Sequence, residues 1–169
     1  MKLAVFDVDG VLTNGSISLD PTGAEHKIFN VRDGQGLKWL REAGIEIGII
    51  SGRVSPAVEE RMAALGIQYV YQGQIDKLAA FDDLCAKLGV GAAEVACVGD
   101  DVPDLAILCK AGLAVAVADA DPFVVQHCHW RTELAGGCGA VREVCELLLE
   151  ARGLLDTLRC RYLKWVPGD

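Results

Sequence analysis

The chain is poor in aromatic residues, 6% Phe, Trp and Tyr, and has neither a long apolar run nor an excess of positive charge. A membrane span needs about 18 to 20 consecutive apolar residues, so no association with a membrane is expected. Sixteen Lys and Arg face 24 Asp and Glu, a formal net charge of −8. That balance speaks against a general binder of nucleic acid or anionic membrane, because both demand an extended basic face. An anionic substrate would have to be met by a few local cations. The seven cysteines, at 85, 97, 109, 128, 138, 145 and 160, form no C-x-x-C pair. An odd number without metal-ligand spacing argues against a disulfide framework or a zinc site and for small buried hydrophobes in a reducing compartment. The N-terminus, one lysine followed by acid within a few residues, is unlike a secretory leader, so a cytoplasmic location is expected. At 169 residues and 51% hydrophobic, the chain suits one domain with a full core.

What is present is a set of short, nearly continuous apolar runs: KLAVF (2–6), IEIGII (45–50), IQYVY (67–71), EVACV (94–98) and LAVAV (113–117). Strands covered on both faces read this way, so a parallel sheet is expected. Between them lie stretches with apolar residues three or four apart, GLKWLREAG, PAVEERMAAL and KLAAFDDLCAKLG, several ending at glycine as helices do. The alternation predicts a doubly wound, Rossmann-like α/β domain. One segment breaks it. Residues 16–30 flank the turn sequence Asp20-Pro21-Thr22-Gly23 and read as an inserted β-hairpin. Residues 139–152 form a last amphipathic helix, which gives a domain over 1–153 and an extension or tail over 154–169.

In an open α/β sheet ligands sit at the carboxyl ends of the strands, so the residues just after each apolar run are the ones placed to meet a ligand. After the first run come Asp7 and Asp9, two apart and therefore on one side of an extended segment. Carboxylates at a strand end are costly to desolvate unless a cation meets them. After the second come Ser51, Gly52 and Arg53, a hydroxyl and open backbone N–H groups suited to an anion. Lys77 opens the helix after the third run, and the fourth leads into Gly99-Asp100-Asp101-Val102-Pro103-Asp104. Each piece alone has an ordinary explanation as a turn, a loop or a helix cap. Their recurrence at one end of successive strands points to Asp7, Asp9 and Asp100 around a divalent cation, with Ser51 and Lys77 as donors to a phosphoryl group.

DVDGVLT, the serine of IISGR, Lys77 and GDDVPD resemble the four motifs of the haloacid dehalogenase superfamily of phosphatases. The early hairpin, QGQIDKL, VAVADADP and AGGCGAVREVCELLL extend the likeness to its capless 3-deoxy-D-manno-octulosonate 8-phosphate phosphatases, over residues 3 to about 152. The resemblance implies a phosphoric monoester hydrolase that requires Mg2+. In it Asp7 is the nucleophile that becomes an aspartyl phosphate, and Asp9 the acid that protonates the leaving oxygen and then the base for water. Asp7, Asp100 and the backbone carbonyl of Asp9 would ligate the metal. Ser51, the Gly52 N–H and Lys77 would hold the phosphoryl oxygens, Asp104 would orient Lys77, and Asp101 would stand behind the ligands or meet a metal-bound water.

The resemblance further implies a homotetramer in which four hairpins pack into a central barrel, and a phosphorylated sugar acid as small-molecule partner. A sugar-acid carboxylate calls for arginine, for which Arg53 and Arg61 are the candidates. Relatives acting on nine-carbon acids carry glutamate at the position of Arg53 and lysine at that of Ala64, so the eight-carbon pattern fits better. Cys138 stands where the octulosonate enzymes usually have arginine, in a loop expected, with the tail, to reach a neighbouring active site. Two other readings are a non-catalytic tetramerisation module, like the tail domain of animal acylneuraminate cytidylyltransferases, and a phosphatase of phosphoproteins, which an open capless site would admit.

Overall fold

The computed structural model describes residues 1–164. Six strands form one sheet in which every pairing is parallel: β1 (Leu3–Phe6), β4 (Glu46–Ile50), β5 (Tyr69–Tyr71), β6 (Val95–Gly99), β7 (Leu113–Ala116) and β8 (Trp130–Arg131). Their order is β5-β4-β1-β6-β7-β8. The chain builds outward from β1 to β5, then returns to the other side of β1 and builds outward to β8. The reversal leaves a crevice beyond the carboxyl ends of β1 and β6, the expected place for a ligand in such a sheet. The five expected strands are present. β8 was not anticipated, because two residues carry no periodicity to detect.

The sheet is covered on both faces, and side-chain alternation along each strand assigns residues to one layer or the other. Ala4, Phe6, Ile47, Ile49, Ala96 and Val98 share a core with α1 (Val31–Glu42), α2 (Pro56–Leu65) and α6 (Ala140–Glu150). Leu3, Val5, Val95, Cys97 and Ala114 pack instead against α3 (Lys77–Leu88) and the short helices α4 (Leu105–Leu108) and α5 (Pro122–Val125). The segment after residue 153 contains α7 (Leu155–Cys160), whose Leu155 and Leu158 are buried in the first of these cores. Tyr162 lies against the Trp39 ring, 6.1 Å between centroids. As far as it is described, this extension rests on its own chain. Its last five positions, 165–169, lie outside the described residues.

The hairpin between β1 and α1 is small. β2 (Ser18–Leu19) and β3 (Glu25–His26) contribute two residues each, antiparallel, with Ser18 opposite His26. The Asp20 side chain accepts from the Thr22 and Ala24 N–H groups at 2.7 and 3.0 Å and closes the turn. No cap domain is inserted among the described residues. The helices between strands are short crossovers, and none is long and apolar enough to span a membrane.

One contact away from the sheet fixes the loop after β1. The glycine turn before α6 lies directly on it, with the Gly137 N–H donating to the Val11 carbonyl at 2.9 Å. The Gly136 N–H donates to Asp119 at 2.9 Å, and a Cβ at Gly136 would sit 1.7 Å from the Gly10 carbonyl oxygen. Backbone meets backbone here, so nothing can rotate aside. Gly136→Ala is therefore expected to destabilise the fold by about 1 to 3 kcal/mol or more. Gly89→Ala, at a helix end with open space around it, should cost only about 1 kcal/mol. Urea unfolding of the two variants checks this, and equal midpoints would show that the turn can yield.

Candidate active site

Asp7 and Asp9 leave the end of β1, Ser51 to Arg53 leave β4, Lys77 opens α3, and Asp100 to Asp104 leave β6. Together with Pro103 these residues line one crevice of about 230 Å³. Every expected site residue except Arg61 reaches it. Gly10, with φ +93°, makes the crowding feasible, because a Cβ there would lie 2.0 Å from Asp100 Oδ2.

Lys77 is buried between two carboxylates, its Nζ 2.7 Å from Asp7 Oδ1 and 2.5 Å from Asp104 Oδ1. Burial works against its charge, yet Asp7 and Asp104 outweigh that effect and hold the ammonium above its ordinary pKa. The other Asp104 oxygen accepts from the N–H groups of Asp100 and Asp101, at 3.0 and 3.4 Å. Both oxygens of Asp104 are thus engaged, and it stands as the orienting partner of Lys77. Asp101 turns outward and caps the next turn through the Val102 N–H, 2.8 Å away.

The acids resist their own ionisation. Burial, then the charge of Asp104, pushes Asp7 up to about 6 against the pull of Lys77. Burial, then the charges of Asp104, Asp7 and Asp101, pushes Asp100 up to about 8. Among the described residues, Asp100 Oδ1 and Asp9 Oδ2 are buried oxygens with no hydrogen-bond partner. Carboxylate oxygens of Asp7, Asp100 and Asp104 lie within 4.8 Å of one another. Orphaned carboxylate oxygens, all hard, with excess negative charge, fit Mg2+.

On the opposite rim Ser51 is buried, its Oγ accepting from the Arg53 N–H at 3.3 Å, and Gly52 presents bare backbone to the crevice. Arg53 is half-exposed. Its guanidinium donates to Glu25 at 3.0 Å and lies 3.8 Å from Asp9. Arg61 is elsewhere, over the Phe29 ring at 6.0 Å and against α1, where a Cβ on Gly34 would meet its Nη2 at 2.3 Å. Cys138 is exposed in the glycine turn.

The hairpin supplies two site residues that the sequence did not single out. Lys27, just beyond β3, reaches the Asp9 carboxylate and also Glu25, 2.8 Å away. Their signal was present, since Glu25 and Lys27 are two apart in an extended segment and so share a face.

The arrangement brings a buried carboxylate, a second carboxylate two residues on, an acidic cluster fit for a cation, and a hydroxyl, a backbone N–H and an ammonium to one point, a set with which phosphoryl transfer through an aspartate is feasible. Comparison with known proteins agrees. Residues 67–141 match the model of the haloacid dehalogenase-like hydrolase family. The chain is 51% identical over 156 residues, 92% of its length and 83% of the other's, to 3-deoxy-D-manno-octulosonate 8-phosphate phosphatase KdsC of Escherichia coli K12. Among solved structures, a probable YrbI family phosphatase from Pseudomonas syringae superposes with a TM-score of 0.96 at 48% identity, covering 98% of this chain and 94% of that one. The 3-deoxy-D-manno-octulosonate 8-phosphate phosphatase of Moraxella catarrhalis, solved with magnesium, phosphate and KDO, gives 0.94 at 41% identity, covering 96% and 93%. Half-identity over nine-tenths of the chain and a shared fold leave one assignment: this protein belongs to the 3-deoxy-D-manno-octulosonate 8-phosphate phosphatase family of haloacid dehalogenase-like hydrolases.

Proposed function

We propose that the protein hydrolyses 3-deoxy-D-manno-octulosonate 8-phosphate to the free sugar acid and phosphate, in the cytoplasm, through an aspartyl phosphate on Asp7. The observation that carries this reading is the intact set of Asp7, Asp9, Lys77 and Asp100 in one crevice of a chain half identical to enzymes of that name. A module without chemistry need not keep four charged groups so costly to bury, which disfavours the non-catalytic alternative.

Asp7 Oδ attacks phosphorus while Asp9 donates a proton to the departing sugar oxygen, and Asp9 then takes a proton from the water that cleaves the acyl phosphate. Ser51 Oγ, the Gly52 N–H and the Lys77 ammonium hold the oxygens on which charge spreads. Asp104 keeps Lys77 in place. Asp7, Asp100 and the Asp9 carbonyl would hold Mg2+, which when bound offsets the repulsion between the Asp7 carboxylate and the phosphate.

Asp7 and Asp100 both have folded pKa values above their ordinary 3.8, so in metal-free protein their neutral forms favour folding. That contribution is fully present below about pH 4 and is lost as pH rises through about 6 and then about 8. Magnesium must displace those protons. Its affinity is expected to rise about tenfold or more from pH 6 to pH 8, with a larger gain in Tm at pH 8, and chelation should abolish phosphate release. Titration calorimetry and thermal melts at both pH values check this; an affinity independent of pH would contradict the protonated metal-free site.

Arg53 is the cation in the crevice with exposure to spare, and we assign it to the substrate carboxylate; Arg61 can join only by leaving Phe29 and Gly34. Loss of a charge-assisted contact is worth about 1.5 to 3 kcal/mol, so Arg53→Ala should lower kcat/KM for the octulosonate phosphate by about 10- to 100-fold. p-Nitrophenyl phosphate should be affected severalfold at most, and Arg61→Ala should separate the two substrates less. Equal losses on both substrates would assign Arg53 to the phosphate instead. A wild-type preference for a nine-carbon sugar-acid phosphate would move the substrate and leave the chemistry standing.

We also propose a homotetramer. Ile17, Leu19, Ile28 and Val31, in and beside the hairpin, are 58 to 83% exposed, and two two-residue strands cannot bury their own faces. Sedimentation at micromolar concentration should give four chains. A fully active monomer would show that the crevice needs no neighbour.

A further inference from the structure

Lys27 is the hairpin's contact with Asp9 of the crevice, and its surroundings are unusual for a strand lysine. Its side chain is 2% exposed, whereas an ordinary lysine beside a β-turn keeps its ammonium in water. Burial of that charge opposes it, but hydrogen bonds and charge from Asp9 and Glu25 more than compensate and hold the ammonium above its ordinary pKa. The pairing is linked further: Glu25 bonds Arg53 at 3.0 Å, and Arg53 lies 3.8 Å from the second oxygen of Asp9. Asp9 is thus gripped by a cation from the hairpin, with a second cation from the β4 loop nearby, and Glu25 ties the two cations together.

An acid that protonates a leaving oxygen must point at that oxygen, and a misplacement of 1 Å can cost about 100-fold. Asp9 has a specific temptation to turn elsewhere. Asp7 and Asp100 stand beside it around a cation site, and a third free carboxylate would be drawn to the same cation. Among the described residues, the side-chain contacts that restrain the Asp9 carboxyl are those with Lys27 and Arg53.

We propose that Lys27 is a positioning residue for the general acid and base: through its contact with Asp9, and with Glu25 as its anchor, it keeps the Asp9 carboxyl directed at the leaving group and away from the metal. This rests on the phosphatase reading but on no particular sugar. The hairpin thereby belongs to the catalytic apparatus of its own chain.

The test uses a series of substituted phenyl phosphates, which need proton donation in proportion to how basic the departing phenolate is and need no sugar recognition. kcat/KM, which reports events up to departure of the leaving group, is measured for wild type, Lys27→Met, Asp9→Asn and the double variant, with saturating magnesium. Lys27→Met is expected to lower kcat/KM for phenyl phosphate by about 10- to 100-fold and for p-nitrophenyl phosphate by about threefold or less. The rate would thus fall more steeply with leaving-group pKa, as acid catalysis worth about 10²- to 10⁴-fold is partly lost. Asp9→Asn should show the same steepening, and the double variant should be no slower than Asp9→Asn alone. Glu25→Gln, which retains the lysine and loosens its anchor, should fall between wild type and Lys27→Met. The inference is overturned if Lys27→Met slows both esters equally, slows neither, or speeds turnover. It is also overturned if the Lys27→Met and Asp9→Asn losses multiply, or if more magnesium restores the variant. If the wild type hydrolyses aryl phosphates but not the octulosonate phosphate, the substrate assignment fails while this result still decides on Lys27.

Discussion

The Lys77 ammonium is the point on which the site depends. Four carboxylates, Asp7, Asp9, Asp100 and Asp104, converge beyond the ends of β1 and β6, and they would repel one another without a cation among them. Lys77 enters from the first turn of α3 and pairs with both Asp7 and Asp104. Because Asp104 also takes the N–H groups of Asp100 and Asp101, one lysine ties Asp7, the β6 loop and the start of α3 together. Such a buried group contributes little net stability, since its desolvation cancels most of the attraction. Removing one partner is what costs, about 3 to 5 kcal/mol, because a charge is left buried alone. Lys77 satisfies only part of the negative charge. The raised pKa values of Asp7 and Asp100 express the remainder, which a divalent cation can take up.

Much of this was legible in the sequence because it is dictated by strand ends. Five of the strands announced themselves as apolar runs, and the site residues stand immediately after them, where the topology of a parallel sheet brings loops together whatever their sequence separation. The start of α1 was not legible. The helix begins at Val31, capped by Asn30, five residues before the apolar spacing suggested, because Gly34 and Gly36 lie within it and glycine reads as a breaker. Both are there for packing: a Cβ at Gly34 would strike Arg61, and one at Gly36 would crowd Arg142 and Cys145 of α6. β8 was hidden by its brevity, and the glycine turn at 136–137 by the nature of its contact, since backbone lying on backbone leaves no side-chain pattern.

Arg61 shows what residue type alone leaves open. Two turns along a helix from the phosphate loop is a reasonable place for a substrate cation, but α2 lies against α1, and the shortest path for the Arg61 side chain runs over Gly34 to the face of Phe29. Helix packing decided the direction, and that is tertiary information. Glu25 and Lys27 went the other way. Their residue types and spacing were visible, yet a charged hairpin reads as solvated until its fold back over the crevice is known.

That fold leaves the hairpin with two kinds of side chain to place. Its apolar residues, Ile17, Leu19 and Ile28, are exposed and need a partner surface, while its charged pair faces inward to Asp9. In the observed register Leu19 stands directly across from Glu25 and shares its face, while His26, between Glu25 and Lys27, points to the other side. A one-residue slip of β3 would turn Glu25 and Lys27 away from Asp9 and His26 toward it. The register, Ser18 opposite His26 and Leu19 opposite Glu25, is therefore what presents Glu25 and Lys27 to Asp9. With two residues per strand the hairpin has too few ladder bonds to hold that register alone. The Asp20 turn at one end and the ionic contacts of Lys27 at the other supply the missing restraint, so the charges that meet Asp9 also keep the hairpin in the register that delivers them.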